Sequence, residues 1–227
     1  MSARASTRIS IAWPPAAPSE PTDTLVLGVG GWYVDLRITK SDLSIDWAMA
    51  GERLTVLENP GTIRFSHHID SRGFYGIDQG DFSTLPNGDD LEVGTMPAPH
   101  LDGKISPYEE VWREYAAPTS GTTSWILQSS DKKTFVGKIG GYYIALGERG
   151  VGGFTALREE IDRDTKSWSV KYKVGPFETL PSMGANQRLF ENDGRWKLGD
   201  VIDAGGQKFQ VQAIEVHRTH AESKSKS

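Results

Sequence analysis

The chain carries one pattern twice, and a repeated pattern of this kind leaves few folds open. The stretch Thr24–Leu36, centred on Gly30-Gly31-Trp32-Tyr33, returns as Thr134–Leu146, centred on Gly140-Gly141-Tyr142-Tyr143. Phe82-Ser83-Thr84-Leu85-Pro86 is echoed by Phe177-Glu178-Thr179-Leu180-Pro181, and Leu91-Glu92-Val93-Gly94 by Trp196-Lys197-Leu198-Gly199. Three blocks recurring in one order point to a duplicated structural unit. Each copy is long enough to bury a core of its own. The expected division is an N-terminal unit over 1–118, a C-terminal unit over 119–218 and a disordered polar tail over 219–227, joined at Ala116–Thr122.

Within each copy the apolar residues alternate. Trp32, Val34, Leu36 and Ile38 share one strand face, and Tyr33, Asp35 and Arg37 the other. Ile45, Trp47 and Met49 alternate with Asp46 and Ala48, and Trp168, Val170, Tyr172 and Val174 with Ser169, Lys171 and Lys173. Turn-forming clusters such as Lys40-Ser41-Asp42 and Pro86-Asn87-Gly88 separate the runs. The fold class expected is all-β: two tandem antiparallel β-barrels formed by internal duplication. One stretch is ambiguous. Tyr108, Val111, Trp112 and Tyr115 have helical spacing behind Ser106-Pro107, yet the matching place in the second copy, Lys208–Ile214, is rich in β formers. A duplicated unit keeps its closing strand, so Glu110–Tyr115 is read as strand.

Composition excludes several functions. With no cysteine there is no disulfide, thiolate metal site or cysteine nucleophile. A net charge of −5 with both signs scattered gives no basic footprint for nucleic acid or an anionic membrane. Met1–Trp13 holds no apolar run of signal-peptide length, so the cytoplasm is expected, with the nucleus as a second compartment. No metal and no cofactor are expected. The glycines at 28, 30 and 31 and at 137, 140 and 141 lack the helix that a phosphate loop requires, and read as bends or bulges of a curling strand. Glu109-Glu110 and Glu159-Glu160 are neighbours on opposite strand faces and read as solvated surface.

Two features remain as chemistry. His67 and His68 are adjacent and point to opposite faces, so they cannot easily share a metal, but His67 follows Ile63 and Phe65 on a face that would point into the first barrel. Seven tryptophans are many for this length; they either fill the barrels or line a ligand cavity, and in the first unit Trp32, Trp47 and Trp112 are the leading candidates. The candidate ligand-binding set is therefore Trp32, Trp47, Arg64, His67, Glu110 and Trp112. His67 and Arg37 are the candidates for any catalytic role. No Gly-x-Ser-x-Gly motif or other nucleophile constellation is present.

Gly31–Arg37, Asp46–Gly51, Glu92-Val93-Gly94 and Glu110-Val111-Trp112, followed by Gly140–Tyr143, Trp168–Val174 and Thr179-Leu180-Pro181, resemble the fungal Hri family, from Arg8 to Val216. Its members take their name from interaction with a casein-kinase-type protein kinase. The resemblance implies two lipocalin-like barrels in tandem, a cytoplasmic and nuclear setting, and protein binding, with no catalytic motif to carry over. The expected function is a non-catalytic, adaptor-like protein that binds a protein partner, such as that kinase, or a small apolar molecule. The alternative is a cofactor-independent pericyclase of fungal natural-product biosynthesis. It would catalyse a hetero-Diels–Alder cycloaddition by holding a polyene or quinone-methide-like substrate in an aromatic-lined pocket.

Overall fold

The computed structural model describes residues 2–150, 153–162, 164–190 and 193–218. The expected tail over 219–227 lies outside the described residues. In the first unit the strands are β1 Arg4–Ala12, β2 Thr22–Val29, β3 Trp32–Thr39, β4 Ile45–Val56, β5 Asn59–Ser66, β6 Ile69–Asp70, β7 Ile77–Thr84, β8 Asp90–Ala98 and β9 Lys104–Glu114. In the second they are β10 Thr123–Ser129, β11 Thr134–Ile139, β12 Tyr142–Arg149, β13 Gly153–Ile161, β14 Trp168–Val174, β15 Val201–Ala204 and β16 Gln207–Val216. The stretch with helical spacing is β9, as the second copy indicated.

Of the repeated glycines, Gly30-Gly31 and Gly140-Gly141 make tight turns, and Gly28 and Gly137 lie inside β2 and β11. Val29 pairs with Trp32 across Gly30 and Gly31, which sit at φ 55° and 91°. Ile139 pairs with Tyr142 across Gly140 at φ 53°. Two-residue hairpin turns of this sort need a left-handed backbone that glycine adopts without strain. The matched blocks Thr24–Leu36 and Thr134–Leu146 are therefore equivalent hairpins, β2–β3 and β11–β12.

Eight antiparallel strands of the first unit close on themselves. β1 pairs with β2, and the ladder runs through β3, β4, β5, β7 and β8 to β9, which pairs back onto β1. The two-residue β6 adds to the side of β4. Closure removes every free edge from these eight strands.

The second unit departs from the expected barrel. Its sheet runs β14-β13-β12-β11-β10-β16-β15, and β14 and β15 remain its two edges. Between them the chain makes short helical turns at Phe177–Thr179, Gln187–Phe190 and Asp193–Arg195. Both later echoes fall there: Phe177–Pro181 starts with such a turn, whereas Phe82–Thr84 lies in β7, and Trp196–Gly199 lies outside any strand, whereas Leu91–Gly94 lies in β8. Pro176, which stands where the first copy has Asp81 inside β7, offers no N–H to a ladder, which explains the broken strand. Leu180, Met183 and Phe190 pack instead against Trp125 and Tyr143, filling the concave face. The Glu159 carboxylate holds this segment in place, accepting from Ser182 Oγ at 2.9 Å and from the Met183 backbone N–H. Glu159 is thus buried, against the reading of Glu159-Glu160 as solvated surface.

The largest apolar cluster belongs to both units. Leu25, Leu27, Val34, Leu36, Ile38, Ala48 and Ala50 from the barrel pack with Ile126, Phe135, Ile139, Ile144 and Leu146 from the sheet. Two separate cores were expected; the structure has a shared one, flanked by a small cluster inside the barrel and another on the far face of the sheet. Polar contacts border the junction. Arg158, buried, pairs with Asp23 at 3.0 Å and with Glu160 at 2.6 Å, and Tyr172 donates to Asp23 at 2.8 Å. Among the described residues no helix is long and apolar enough to cross a membrane.

Candidate functional site

Because the apolar face of β2, β3 and β4 is taken up by the second unit, the opposite face lines the barrel. On β3 this places Tyr33, Asp35 and Arg37 inside, and β9 adds Tyr108, Glu110 and Trp112 at the same two-residue interval. β4 contributes Trp47 and Met49, β5 Phe65, and β8 Glu92 and Met96. These residues, with His67 just beyond β5, surround a cavity of about 70 Å³. Arg4, Arg53, Asp78 and Phe82 also line it and are partly exposed, marking the side that reaches solvent.

The cavity wall is charged. Arg37 donates through Nε and Nη2 to Asp35 Oδ2, at 3.1 and 2.9 Å, and reaches Glu110 Oε1 at 3.4 Å. Arg8 also pairs with Glu110, and meets Glu20 at 2.7 Å. The Arg37 guanidinium lies 5.1 Å from the Trp47 ring centroid and 5.5 Å from that of Trp112, between two aromatic faces that favour a cation. Every charge in this group therefore has an opposite neighbour, as burial requires.

Glu92 is different. It accepts from Tyr108 Oη at 2.8 Å and from Trp112 Nε1 at 2.9 Å, both neutral donors. Burial, reinforced by the Glu110 charge, pushes its carboxyl up to about 8, so it is mainly protonated at neutral pH. A carboxyl raised in the folded state binds a proton that the unfolded chain has released. Its contribution to stability is complete below about pH 4.5, the ordinary value, and declines as pH rises through about 8. Glu92→Gln, which is neutral throughout, should flatten the fall in melting temperature across that interval, measured by thermal unfolding in a series of buffers. An unchanged slope would show that Glu92 is ionised in the folded protein.

His67 stands on a second polar cluster. Its Nδ1 lies 2.6 Å from Asp70 Oδ2, which also accepts from Trp47 Nε1 at 2.9 Å, while Asp70 Oδ1 accepts from the Arg72 backbone N–H at 2.7 Å. Burial opposes the charge on Asp70, but these bonds, together with one from the Phe74 backbone, hold its carboxyl below the ordinary range. An ionised carboxylate only accepts, so Nδ1 is the donor of that bond. Among the described residues the buried Nε2 has no hydrogen-bond partner, and neither has Asp35 Oδ1 on β3. Both belong to residues that line the cavity.

Of the residues singled out from the sequence, Arg37, Trp47, His67, Glu110 and Trp112 meet at this cavity. Two do not. Trp32 faces out of the barrel into the junction, 6.1 Å from Phe135 in a stacked arrangement. Arg64 points to solvent and donates to Gln79 at 3.0 Å. Glu110 is buried, which corrects the reading of Glu109-Glu110 as surface; Glu109 alone is exposed. Sequence reasoning passed over Asp35, Asp70, Glu92 and Tyr108. The signal for two of them, Asp35 and Tyr108, was present: Tyr33-x-Asp35-x-Arg37 and Tyr108-x-Glu110-x-Trp112 mix charge and aromatic rings on one face. Among the described residues no group of three or more histidine or acidic side chains could hold a metal ion.

A family model described as Protein HRI1 matches residues 4–212. The chain is also similar to the crystal structure of the protein YLR301w from Saccharomyces cerevisiae, with a TM-score of 0.75 at 16% identity, over 95% of this chain and 100% of that one. At that identity the likeness speaks for the fold. No curated protein matches the chain.

Proposed function

The chain belongs to the HRI1 family, and from that starting point we propose that it is a binding protein whose working part is the closed barrel, with a compact, polar hydrogen-bond donor as its ligand. The observation that carries this reading is a pair of buried atoms without a hydrogen-bond partner among the described residues, Asp35 Oδ1 and His67 Nε2, both belonging to side chains that line the cavity. A buried acceptor left unpaired costs about 1–3 kcal/mol, and a ligand that donates to both recovers it. Size limits the ligand. The cavity, at about 70 Å³, is well below the roughly 300–1,000 Å³ typical of drug-sized ligands. A folded polyene with an apolar surface gains nothing beside Arg37, Asp35 and Glu110, so this cavity gives no support to the pericyclase alternative.

Tryptophan emission gives the test, since Trp47 and Trp112 line the cavity. Titration with ethanolamine, a small donor, should change the emission saturably, and acetate, of similar size but acceptor-only, should not. Asp35→Asn can turn its amide to donate into the cavity, so it should weaken the ethanolamine response by about tenfold, near 1.4 kcal/mol. Equal responses to the two probes, or no saturation by either, would refute the proposal.

A further inference from the structure

Building on the binding reading, we infer that His67 is a general base, set in place by Asp70, that enolises a small α-hydroxycarbonyl compound bound in the barrel. The geometry is that of a carboxylate–imidazole pair. Asp70 Oδ2 fixes Nδ1 at 2.6 Å, and Asp70 is itself fixed by Trp47 Nε1 and the Arg72 backbone. The imidazole is thereby held in one orientation and one tautomer, with the basic nitrogen on the far edge of the ring. That nitrogen is buried and unpartnered, and the side chain it belongs to is fully enclosed. Phe74 packs edge-on at 5.1 Å and Trp47 at 5.8 Å, so the ring stands among aromatic neighbours. A histidine that only filled space would gain nothing from a free acceptor in such a place, whereas a base requires one.

The other groups on the wall define the substrate class. Asp35 Oδ1, without a partner among the described residues, would accept from a hydroxyl, and the Arg37 guanidinium, beside Trp47 and Trp112, is a permanent cation of the cavity wall. A molecule with a hydroxyl beside a carbonyl presents a donor to Asp35 and a carbonyl oxygen to Arg37. The volume admits only a few heavy atoms. In the step, Nε2 takes a proton from a carbon next to the carbonyl. The C–H electron pair becomes the C=C bond, and the C=O π pair moves onto oxygen, where Arg37 offsets the developing charge. The imidazolium exchanges its proton with solvent and returns a proton, or in D₂O a deuteron, to carbon, so the reaction is balanced without an oxidant, a reductant or a metal. Asp70 does not touch the substrate; it is a positioning residue.

Hydroxyacetone in D₂O tests the inference, with α-hydrogen exchange followed by proton NMR. The wild-type chain should exchange the α-hydrogens at least about 100-fold faster than His67→Gln, which retains a donor to Asp70 but has no basic nitrogen. Asp70→Asn should lose most of the acceleration because its amide does not enforce the tautomer. The tautomer itself is read on the wild-type protein by long-range ¹H–¹⁵N correlation, so this arm does not depend on a variant folding. Nδ1 protonated and Nε2 bare supports the assignment; the reverse overturns it. Saturable hydroxyacetone quenching of tryptophan emission without exchange above His67→Gln overturns the base and leaves the binding reading intact. Absence of both quenching and exchange, with ethanolamine also silent, overturns both.

Discussion

Glu110→Ala is expected to lower the unfolding free energy by about 3 kcal/mol, the upper end for losing charge-assisted hydrogen bonds, because two buried guanidinium groups lose one each. Glu110 is the anion that Arg8 and Arg37 share, and all three residues are buried. Arg8 keeps Glu20 and Arg37 keeps Asp35, so neither cation is left bare, but two guanidinium groups then share less negative charge at low dielectric. Glu110→Gln keeps an oxygen acceptor without the charge and should fall between alanine and wild type. Its neighbour Glu109 is exposed, and Glu109→Ala should stay within about 0.5 kcal/mol. Urea unfolding of the three variants provides the comparison. Equal, small effects from Glu110→Ala and Glu109→Ala would mean that water reaches the network freely.

Phe135→Ala should cost a similar amount, about 3–5 kcal/mol for a fully buried ring, but by a different mechanism. Phe135 sits on β11 of the second unit with no exposed surface, yet its ring neighbours, Trp32 at 6.1 Å and His68 at 6.0 Å, come from the barrel. Truncation opens a void in the shared core, and the loss is felt on both sides of it. Urea unfolding of the full chain should show the midpoint lowered in one transition with its slope retained. A second transition appearing in the variant would mean that the two units unfold independently.

The strands, their hairpins and the duplication were legible because each rests on local chemistry. Gly30-Gly31 and Gly140-Gly141 mark tight turns, and alternation marks which residues share a face. What alternation does not say is which face points inward when both are buried. Trp32, Val34, Leu36 and Ile38 form the more apolar face of β3, and in a solitary barrel that face would fill the interior. Here the second unit covers it from outside, so Tyr33, Asp35 and Arg37 line the cavity and Trp32 is lost from the site. That choice depends on contacts between residues more than a hundred positions apart. The open edge of the second sheet was hidden for a related reason. The block around Phe177 keeps the letters of its counterpart, but Pro176, where the first copy has Asp81 inside β7, changes what the backbone can pair with. His67 was legible as an inward histidine from Phe65 and Ile63 on its face. Its orienting partner Asp70 lies just across a break in the strand, where period-two reasoning stops.

The claim that supports the rest is the orientation of the barrel: apolar outside against the second unit, charged inside around the cavity. Native-state hydrogen exchange on the full chain, wild type and Phe135→Ala, tests it most directly. The slowest amides of β3 and of β12 should open with the same free energy, and the substitution should lower both by the same amount. If the β12 amides are weakened while those of β3 keep their protection, the barrel holds its own core and the orientation described here is wrong.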